Sequence, residues 1–560
     1  MDRIILDESL KNSVNDTSPF LRKEMVSLKD QASAGNYSSG TSVIETITLS
    51  NGGKWTDYHE AYLTIPLVVV LSGVDALNNV IDWEAAHVRD SDIALAMKNS
   101  NLNLINSCTI DYGNRTLVQA TDRINDYLIF KQHTEMSLQD QMLHGETIGY
   151  HKDTAASWSY DTANGIVNNF NVSDGTAVNY NEYNEGMAKR QEKFRNQGSN
   201  VASWSDIFED NAMKKDNANF ITNTATYKSY HYNAVIRLKD LPVFNSLPHL
   251  MKGANFKITL TLNQCLFKFS VDNAGALSFT PSTFSGKQTN PVMVARKQTE
   301  TRVFDSANAD QTDTVIVPGG SWTLERGTYT VSCSVGKVGF SEHSGLNVDP
   351  CQESNIELHV PVYELKPGVE QRLIESSAQK RIVYNEVLSF QLFNKKGAFN
   401  ELITNGISHL KRMIIVPRLN SNGNGNNSVT PHLSPFDTAP ATCSPYSLEN
   451  FQVQVANHNI YHQAINYSYE MFLQEMNGRY GLESSLNYGE SSSLINFKDY
   501  VNLYGYIVVD LKRKHNEDES VPLSIQISGN ITSKKALDFF VFVEQEKSFA
   551  YDILTGARVS

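Results

Sequence analysis

Two stretches of the chain carry the same pattern, and together they decide the fold. The first is Asn106–Phe130, NSCTIDYGNRTLVQATDRINDYLIF, and the second is Glu449–Leu473, ENFQVQVANHNIYHQAINYSYEMFL. Each begins with an alternating strand and a turn that contains Asn, and continues with a polar run and an amphipathic segment with aromatic residues at helical spacing. Strand-like runs flank both stretches. Because the repeated regions are far longer than solenoid units, the repeat predicts two tandem domains of one β architecture.

The strands that precede each stretch share an unusual feature. In the first half, Val43–Leu49 is followed by Ala61–Ser72, which contains Pro66. In the second half, the corresponding strand Arg412–Leu419 contains Pro417. Proline cannot donate to a sheet ladder, so both proline-containing strands are predicted to lie at sheet edges.

The strands that follow each stretch also correspond. We predict that they form a pair in each half and that one further strand closes each half: Tyr230–Leu238 with Phe256–Asn263 and then Ile356–Leu365, and Tyr504–Leu511 with Leu523–Gly529 and then Phe539–Glu544. Pro361 lies inside the first closing strand and argues against a central position for it.

The domain organisation follows from where these strands begin and end. Residues 1–40 are polar and rich in Ser and Asn, and we predict that they form an arm. Residues 41–370 are predicted to form the first domain, with large loop insertions at 134–226 and 266–355. Residues 371–560 are predicted to form the second domain. Loops as long as these insertions are uncommon in compact domains unless they have a function.

Composition excludes several classes of protein. The chain has 560 residues, of which 40% are hydrophobic and 10% aromatic, so it can bury large cores. A net charge of −13 disfavours a dedicated nucleic-acid binder, which needs a basic stripe. Five cysteines without tight spacing argue against a disulfide framework or a zinc site. The N-terminal residues lack the apolar core of a secretory leader, and no apolar run reaches the ~18 residues of a membrane span.

Motifs that carry chemistry are also missing. No phosphate-binding loop, dinucleotide fingerprint, nucleophile elbow or zinc-protease motif occurs. His458 and His462 have metal-ligand spacing but fall in an Asn-rich turn, and Asp90 begins an acidic run without the Gly and Glu of a calcium loop. The basic pairs Lys395–Lys396 and Lys411–Arg412 are too few for strong phosphate binding. The sequence therefore predicts no catalytic, cofactor-binding or metal-binding residue, and no cofactor.

Short antiparallel strands with long loops at one end are typical of an eight-stranded jelly roll. The predicted fold is all-β, with two tandem eight-stranded antiparallel jelly rolls, short helices and long loop insertions. This pattern resembles the double jelly-roll major capsid proteins of eukaryotic DNA viruses, in the virophage, polinton-like virus and adintovirus group. The resemblance is carried by WTDYHEAYLTIPLVVVLSG at Trp55–Gly73, by the repeated stretch, and by the strands within Ser493–Phe549.

The resemblance implies a structural subunit of the virion. Such proteins form pseudo-hexagonal homotrimeric capsomers that tile the icosahedral capsid of the virion. The capsid is assembled inside the host cell. Partners would be other copies of the chain, neighbouring capsomers, penton and minor capsid proteins and, in some viruses, an internal membrane. It also implies a protein that is not an enzyme. The net charge of −13, with no basic arm in the first 40 residues to compensate, separately predicts that the chain does not bind nucleic acid strongly by itself.

Two other classes of function are open at this point. One is a receptor-binding or glycan-binding tandem β-sandwich, which predicts a signal peptide or a trimerisation stalk. The other is an enzyme on a cupin-like jelly roll, which requires clustered His and Glu ligands on adjacent strands. The sequence contains no such cluster.

Overall fold

The structure is a computed structural model. It describes residues 19–31, 37, 40–50, 53–75, 77–83, 93–154, 185–191, 193, 220–271, 277–281, 289–296, 327–336, 355–376, 379–420, 446–477, 495–513, 520–533 and 536–559.

Two groups of antiparallel strands follow each other along the chain. The first group is β1 (Phe20–Lys29), β2 (Thr41–Glu45), β3 (Trp55–Thr56), β4 (Tyr62–Asp75), β5 (Ile93–Met97), β6 (Ile105–Tyr112), β7 (Arg115–Val118), β8 (Phe220–Asn223), β9 (Tyr227–Arg237), β10 (Met251–Lys252), β11 (Phe256–Leu262), β12 (Cys265–Val271), β13 (Leu277–Pro281), β14 (Val292–Arg296), β15 (Gly327–Val335) and β16 (Glu357–Leu365). The second group is β17 (Gln379–Lys395), β18 (Gly397–Ile407), β19 (Leu410–Leu419), β20 (Leu448–Val455), β21 (His458–Asn459), β22 (Ile507–Asp510), β23 (Leu523–Ile531), β24 (Leu537–Asp552) and β25 (Arg558–Val559).

Seven short helices connect these strands. They are α1 (Ile47–Ser50), α2 (Ile124–Glu135), α3 (Leu138–Ile148), α4 (Glu185–Gln191), α5 (Pro367–Ser376), α6 (Tyr469–Asn477) and α7 (Phe497–Asn502) among the described residues. Helix α5 lies between the two groups of strands, close to the predicted boundary at residue 370.

Each group of strands forms a jelly roll. In the first, one sheet contains β1-β16-β4-β9 and the other β2-β11-β6-β7. In the second, the sheets are β17-β24-β19-β22 and β18-β23-β20-β21. In each half, the eight principal strands can be numbered one to eight along the chain. The first, eighth, third and sixth then lie side by side in one sheet, and the second, seventh, fourth and fifth lie side by side in the other. Both halves have this same order. The predicted double jelly roll is confirmed.

The repeated stretch is also confirmed. Strands β6 and β7 and helix α2 form the first copy, and β20, β21 and α6 form the second. Both copies turn in the same way, because two consecutive residues have positive φ: Gly113 (54°) and Asn114 (63°), and Ala456 (47°) and Asn457 (66°). Two positive φ values are typical of the two-residue hairpin whose twist matches that of its strands.

The predicted arm requires a correction. Within residues 1–40, Phe20–Lys29 forms β1, which pairs with β16 along its whole length. Phe20, Val26 and Leu28 pack against the core. These residues are therefore the first strand of the first jelly roll, and the predicted beginning of that domain at residue 41 is too late. The strand predicted at Val43–Leu49 is β2 followed by the helical turn α1.

The predicted edge positions of the proline-containing strands are wrong. Strand β4 pairs with β9 on one side and with β16 and then β15 on the other. The carbonyl of Pro66 accepts a hydrogen bond from the Gly336 N–H at 2.9 Å. The nitrogen of Pro66 therefore faces the same side of β4, at the junction between β16 and β15. Pro361 in the central strand β16 accepts from the Asp57 N–H at 3.1 Å, at the junction between β4 and β3. Proline is tolerated there because no ladder partner requires its missing donor. Pro417 lies in β19, between β24 and β22 in sheet order, beyond the end of the β22 pairing.

Two further predictions are corrected by the sheet order. The strands predicted to pair with each other, β9 with β11 and β22 with β23, lie in different sheets of their jelly rolls. The insertion predicted at 266–355 is not only loop. Its strands β12, β13 and β15 extend the sheet that contains β4, and β14 pairs with β5. In the insertion at 134–226, the described residues include α3, α4 and β8.

Candidate functional site at the junction of the two jelly rolls

Helix α2 of the first jelly roll packs on the outer face of the β17-β24-β19-β22 sheet of the second. Strand β24 shows why this face can receive it. Phe539 points into the second jelly roll, where its ring contacts Phe399, whereas Phe542 on the opposite face contacts Tyr127 of α2. Over Leu537–Glu544, both faces of β24 are thus buried, as expected of a strand covered by the opposing sheet on one side and by a helix on the other.

The first contact of this junction is a buried ionic cluster. The Tyr127 hydroxyl donates to Glu544 Oε1 at 2.7 Å, and the Arg412 guanidinium donates to both Glu544 oxygens at 2.9 and 3.2 Å. Glu544 is fully buried. Burial alone would raise the pKa of Glu544, but attraction and hydrogen bonds from Arg412, with help from Tyr127, lower it to about 2. The carboxylate is therefore charged at neutral pH and satisfied from both jelly rolls.

A second buried cluster forms around Asp126, the residue before Tyr127 on α2. Arg418 of β19 donates to Asp126 Oδ1 at 2.9 Å, and neither side chain is exposed. The guanidinium groups of Arg418 and Arg123 lie 5.5 and 4.9 Å from the centre of the Phe540 ring, within cation–π distance. Burial raises the pKa of Asp126, and the two guanidinium groups oppose that rise. This cluster again joins one jelly roll to the other.

The C-terminal end of α2 meets two tyrosines of the second jelly roll. The ring of His133 lies 4.5 Å from the ring of Tyr504, and its Nδ1 is 3.3 Å from the Tyr506 hydroxyl. Burial, together with the nearby positive charges of Lys152 and Arg190, keeps the pKa of His133 well below its usual range. The imidazole is therefore neutral at physiological pH.

Backbone groups complete the junction near β7 and β17. Thr121 Oγ1 donates to the Val387 carbonyl at 2.7 Å, and the Tyr384 hydroxyl donates to the Leu117 carbonyl at 2.9 Å. Further along, the Tyr112 hydroxyl donates to the carbonyl of Gly556 at 2.6 Å. One continuous hydrophobic core runs through both jelly rolls. Such a junction holds the two jelly rolls in one fixed orientation.

The residues weighed for chemistry in the sequence do not form a site. His458 and His462 are both exposed, and Asp90 lies outside the described residues. Among the residues that the structure describes, no group of three or more His, Cys, Asp or Glu side chains is placed to hold a metal ion. The same residues contain no helix long and apolar enough to cross a membrane.

Sequence reasoning found the elements of the junction but not their contacts. It noted Lys411–Arg412 as a basic pair, and the structure places Arg412 against Glu544, where it neutralises a buried carboxylate. In helix α2 the polar residues Asp126 and His133 are buried, which is unusual for a surface helix of a single domain, and this burial is seen only in the structure.

Comparison with known proteins supports the fold. No protein-family model and no curated protein sequence matches the chain. Among solved structures, a chain of the Sputnik virophage cryo-EM structure has a TM-score of 0.50 and 9% identity, with 98% of this chain and 91% of that chain covered. The mavirus major capsid protein has a TM-score of 0.45 and 10% identity over 98% and 92% of the two chains. The Faustovirus major capsid protein has a TM-score of 0.41 and 10% identity over 98% and 96%. The topology of both halves and the similarity to the Sputnik chain together show that this protein has the double jelly-roll fold.

Proposed function

We propose that the chain is a major capsid protein, the structural subunit of an icosahedral viral shell. The observation that carries the proposal is the junction described above. Two jelly rolls of one topology are fixed to each other through buried polar contacts such as the Arg418–Asp126 ion pair and the hydrogen bond from Tyr127 to Glu544. Three copies of such a rigid pair would offer six similar jelly rolls around a threefold axis, which is the outline of a pseudo-hexagonal capsomer.

The fold of the Sputnik virophage chain supports the same function. We propose, accordingly, that the protein resides in the virion and is not an enzyme, and that its partners are its own copies, neighbouring capsomers, penton and minor capsid proteins. Contact with an internal membrane belongs to the same proposal. The insertions at 134–226 and 266–355 would form the outer tower of the capsomer. We divide the chain into a first jelly roll from Phe20 to Leu365 and a second from Gln379 to Val559.

Oligomeric mass and shape test the proposal. The chain has a mass of 62.6 kDa, so a trimer has three times that mass, about 188 kDa. Light scattering coupled to size exclusion should give this mass at micromolar concentration, and negative-stain electron microscopy should show pseudo-hexagonal particles. A stable monomer at these concentrations, with affinity for glycans, would instead favour the receptor-binding alternative.

The net charge of −13 sets an expectation for the genome. The summed electrostatic field of this negatively charged chain repels phosphates, so another component of the virion would contact the DNA. Purified trimers should bind double-stranded DNA weakly and with strong salt dependence. Sub-micromolar binding at physiological salt, measured by fluorescence anisotropy, would contradict this part of the proposal.

A further inference from the structure

The two copies of the repeated stretch differ in what covers them. In the first copy, Thr121, Arg123 and Tyr127 are buried because the second jelly roll lies on them. The strands and turns of the two copies align in sequence without a gap up to the start of the helix, so positions before the helix can be matched. Ala464 matches Thr121 and Asn466 matches Arg123, and both are exposed, as is Glu470 at the start of α6. Among the described residues of one chain, no element covers these positions of the second copy as the second jelly roll covers the first copy.

The exposed face of the second copy continues onto helix α7. The Phe497 ring contacts Tyr469 of α6 at a centroid distance of 5.7 Å, so α6 and α7 lie side by side. Phe497 and Val501, one helical turn apart, are 60% and 50% exposed. Two large apolar side chains beside the polar residue Glu470 have the composition of an interface: an apolar centre with a polar rim.

A suitable cover exists on the first jelly roll. The first copy is covered by the sheet β17-β24-β19-β22, and the sheet in the same topological position in the first jelly roll is β1-β16-β4-β9. On the outer face of its β1 and β16 strands, Met25 is 52% exposed, and His359 and Tyr62 stack at 4.8 Å and are half-buried. Lys29 on β1 is exposed, lies 3.6 Å from Glu357 of the same chain, and carries the charge that complements Glu470.

We propose that the face formed by Asn466, Glu470, Phe497 and Val501 docks on the outer face of β1 and β16 of a second copy of this chain. The contact repeats, between copies, the junction that joins the two jelly rolls within one copy. It uses different surfaces on the two partners, so it is head-to-tail, and such a contact forms a closed ring when its rotation closes. This inference rests on the proposed function, for which the ring closes after three copies.

Paired substitutions test the surface on α7. The Phe497→Glu/Val501→Glu variant places two charges in the proposed apolar centre. The matched control is Leu138→Glu/Met142→Glu on α3, where the side chains are also one turn apart and are 60% and 77% exposed. We expect the α7 variant to associate at least roughly 30-fold more weakly than the wild type, the effect of losing an interface hot spot. The control should remain trimeric, and circular dichroism should show both variants to be folded.

A second variant and a cross-link keep the test independent of folding of α7. Met25→Glu, on the opposite surface, should weaken association to a similar extent. In trimers mixed from ¹⁴N- and ¹⁵N-labelled chains, carbodiimide should link Glu470 to Lys29 or Lys23 of a different chain. If the wild type is a trimer, if both the α7 variant and the Met25 variant also remain trimeric, and if no such cross-link forms, this interface would be overturned and the proposed function would stand. A wild-type chain that is itself monomeric would overturn the proposed function and the interface with it.

Discussion

Replacing Glu544 by Gln should destabilise the protein strongly at neutral pH and progressively less in acid. The substitution keeps the shape of the side chain but removes the charge that faces Arg412 and accepts from Tyr127. Both partners are buried, so the guanidinium would be left in the junction without its counterion. Removing one partner of a buried ion pair costs about 3–5 kcal/mol.

The pKa of Glu544 gives an independent magnitude. It is about 2, against a usual value of 4.5, and the difference of about 2.5 pH units corresponds to about 3 kcal/mol at 1.36 kcal/mol per unit. Because the folded-state pKa is depressed, this contribution is fully present above pH 4.5 and is lost as the pH falls from 4.5 towards 2. The wild-type advantage over Glu544→Gln should therefore shrink over that range.

Urea unfolding followed by far-ultraviolet circular dichroism at pH 7 and at pH 3 measures both effects. Glu546→Gln is the matched control, since Glu546 lies two residues away on β24, is 41% exposed and pairs with Lys512 at 3.0 Å. An exposed pair contributes at most about 1 kcal/mol. If the two variants were equally stable at pH 7, or if the Glu544→Gln deficit persisted unchanged at pH 3, the assignment of Glu544 as a charged, buried link between the jelly rolls would be wrong.

Three further predictions concern the turns and the junction. Ala456→Gly should stabilise the chain by about 1 kcal/mol, because Ala456 has a φ of 47°, and Gly113→Ala at the matching turn should destabilise it by a similar amount. The Cβ added at Gly113 would meet its nearest neighbour at 4.0 Å, so the urea midpoints of the two variants measure the backbone effect alone. His133→Phe should make unfolding less sensitive to acid, because the depressed pKa of His133 means that the wild type loses about 1.4 kcal/mol per pH unit below pH 6.5; parallel slopes of stability against pH for the two proteins would contradict this. Arg418→Ala should cost about 3–5 kcal/mol by removing the ion-pair partner of the buried Asp126, and a double Arg418→Met/Asp126→Leu variant should recover most of that loss in the same unfolding assay.

The repeat and its hairpin turns could be predicted because they depend on local pattern. The alternation in β6 and β20 and the Asn-containing turns after them specify a strand and its hairpin almost without tertiary context. Strand β1 could not be predicted in this way. Its residues alternate only weakly, since one face is half-buried and the other carries charges such as Lys23 and Lys29. Its place in the sheet is decided by pairing with β16, more than three hundred residues later.

The central prolines were missed for a related reason. The rule that places proline at sheet edges assumes that each strand has one neighbour along each side. In this fold β4 and β16 are longer than some of their neighbours, so that two strands share one side with a junction between them. Pro66 and Pro361 lie at these junctions. The rule about the missing donor holds, but the position of an edge within a sheet is set by topology, which composition does not reveal.

The polar residues of α2 are explained only when both jelly rolls are considered together. Asp126, Tyr127 and His133 would be unremarkable on the surface of a single jelly roll, yet each is buried against the second. Burying such groups is costly unless each finds a partner, and replacing them by apolar residues is often neutral or stabilising. A buried polar junction therefore adds little net stability but accepts few alternative orientations, since every misplaced partner leaves a charge unsatisfied. On this argument the junction fixes the angle between the jelly rolls, and that angle is the property on which closure of a ring of copies depends.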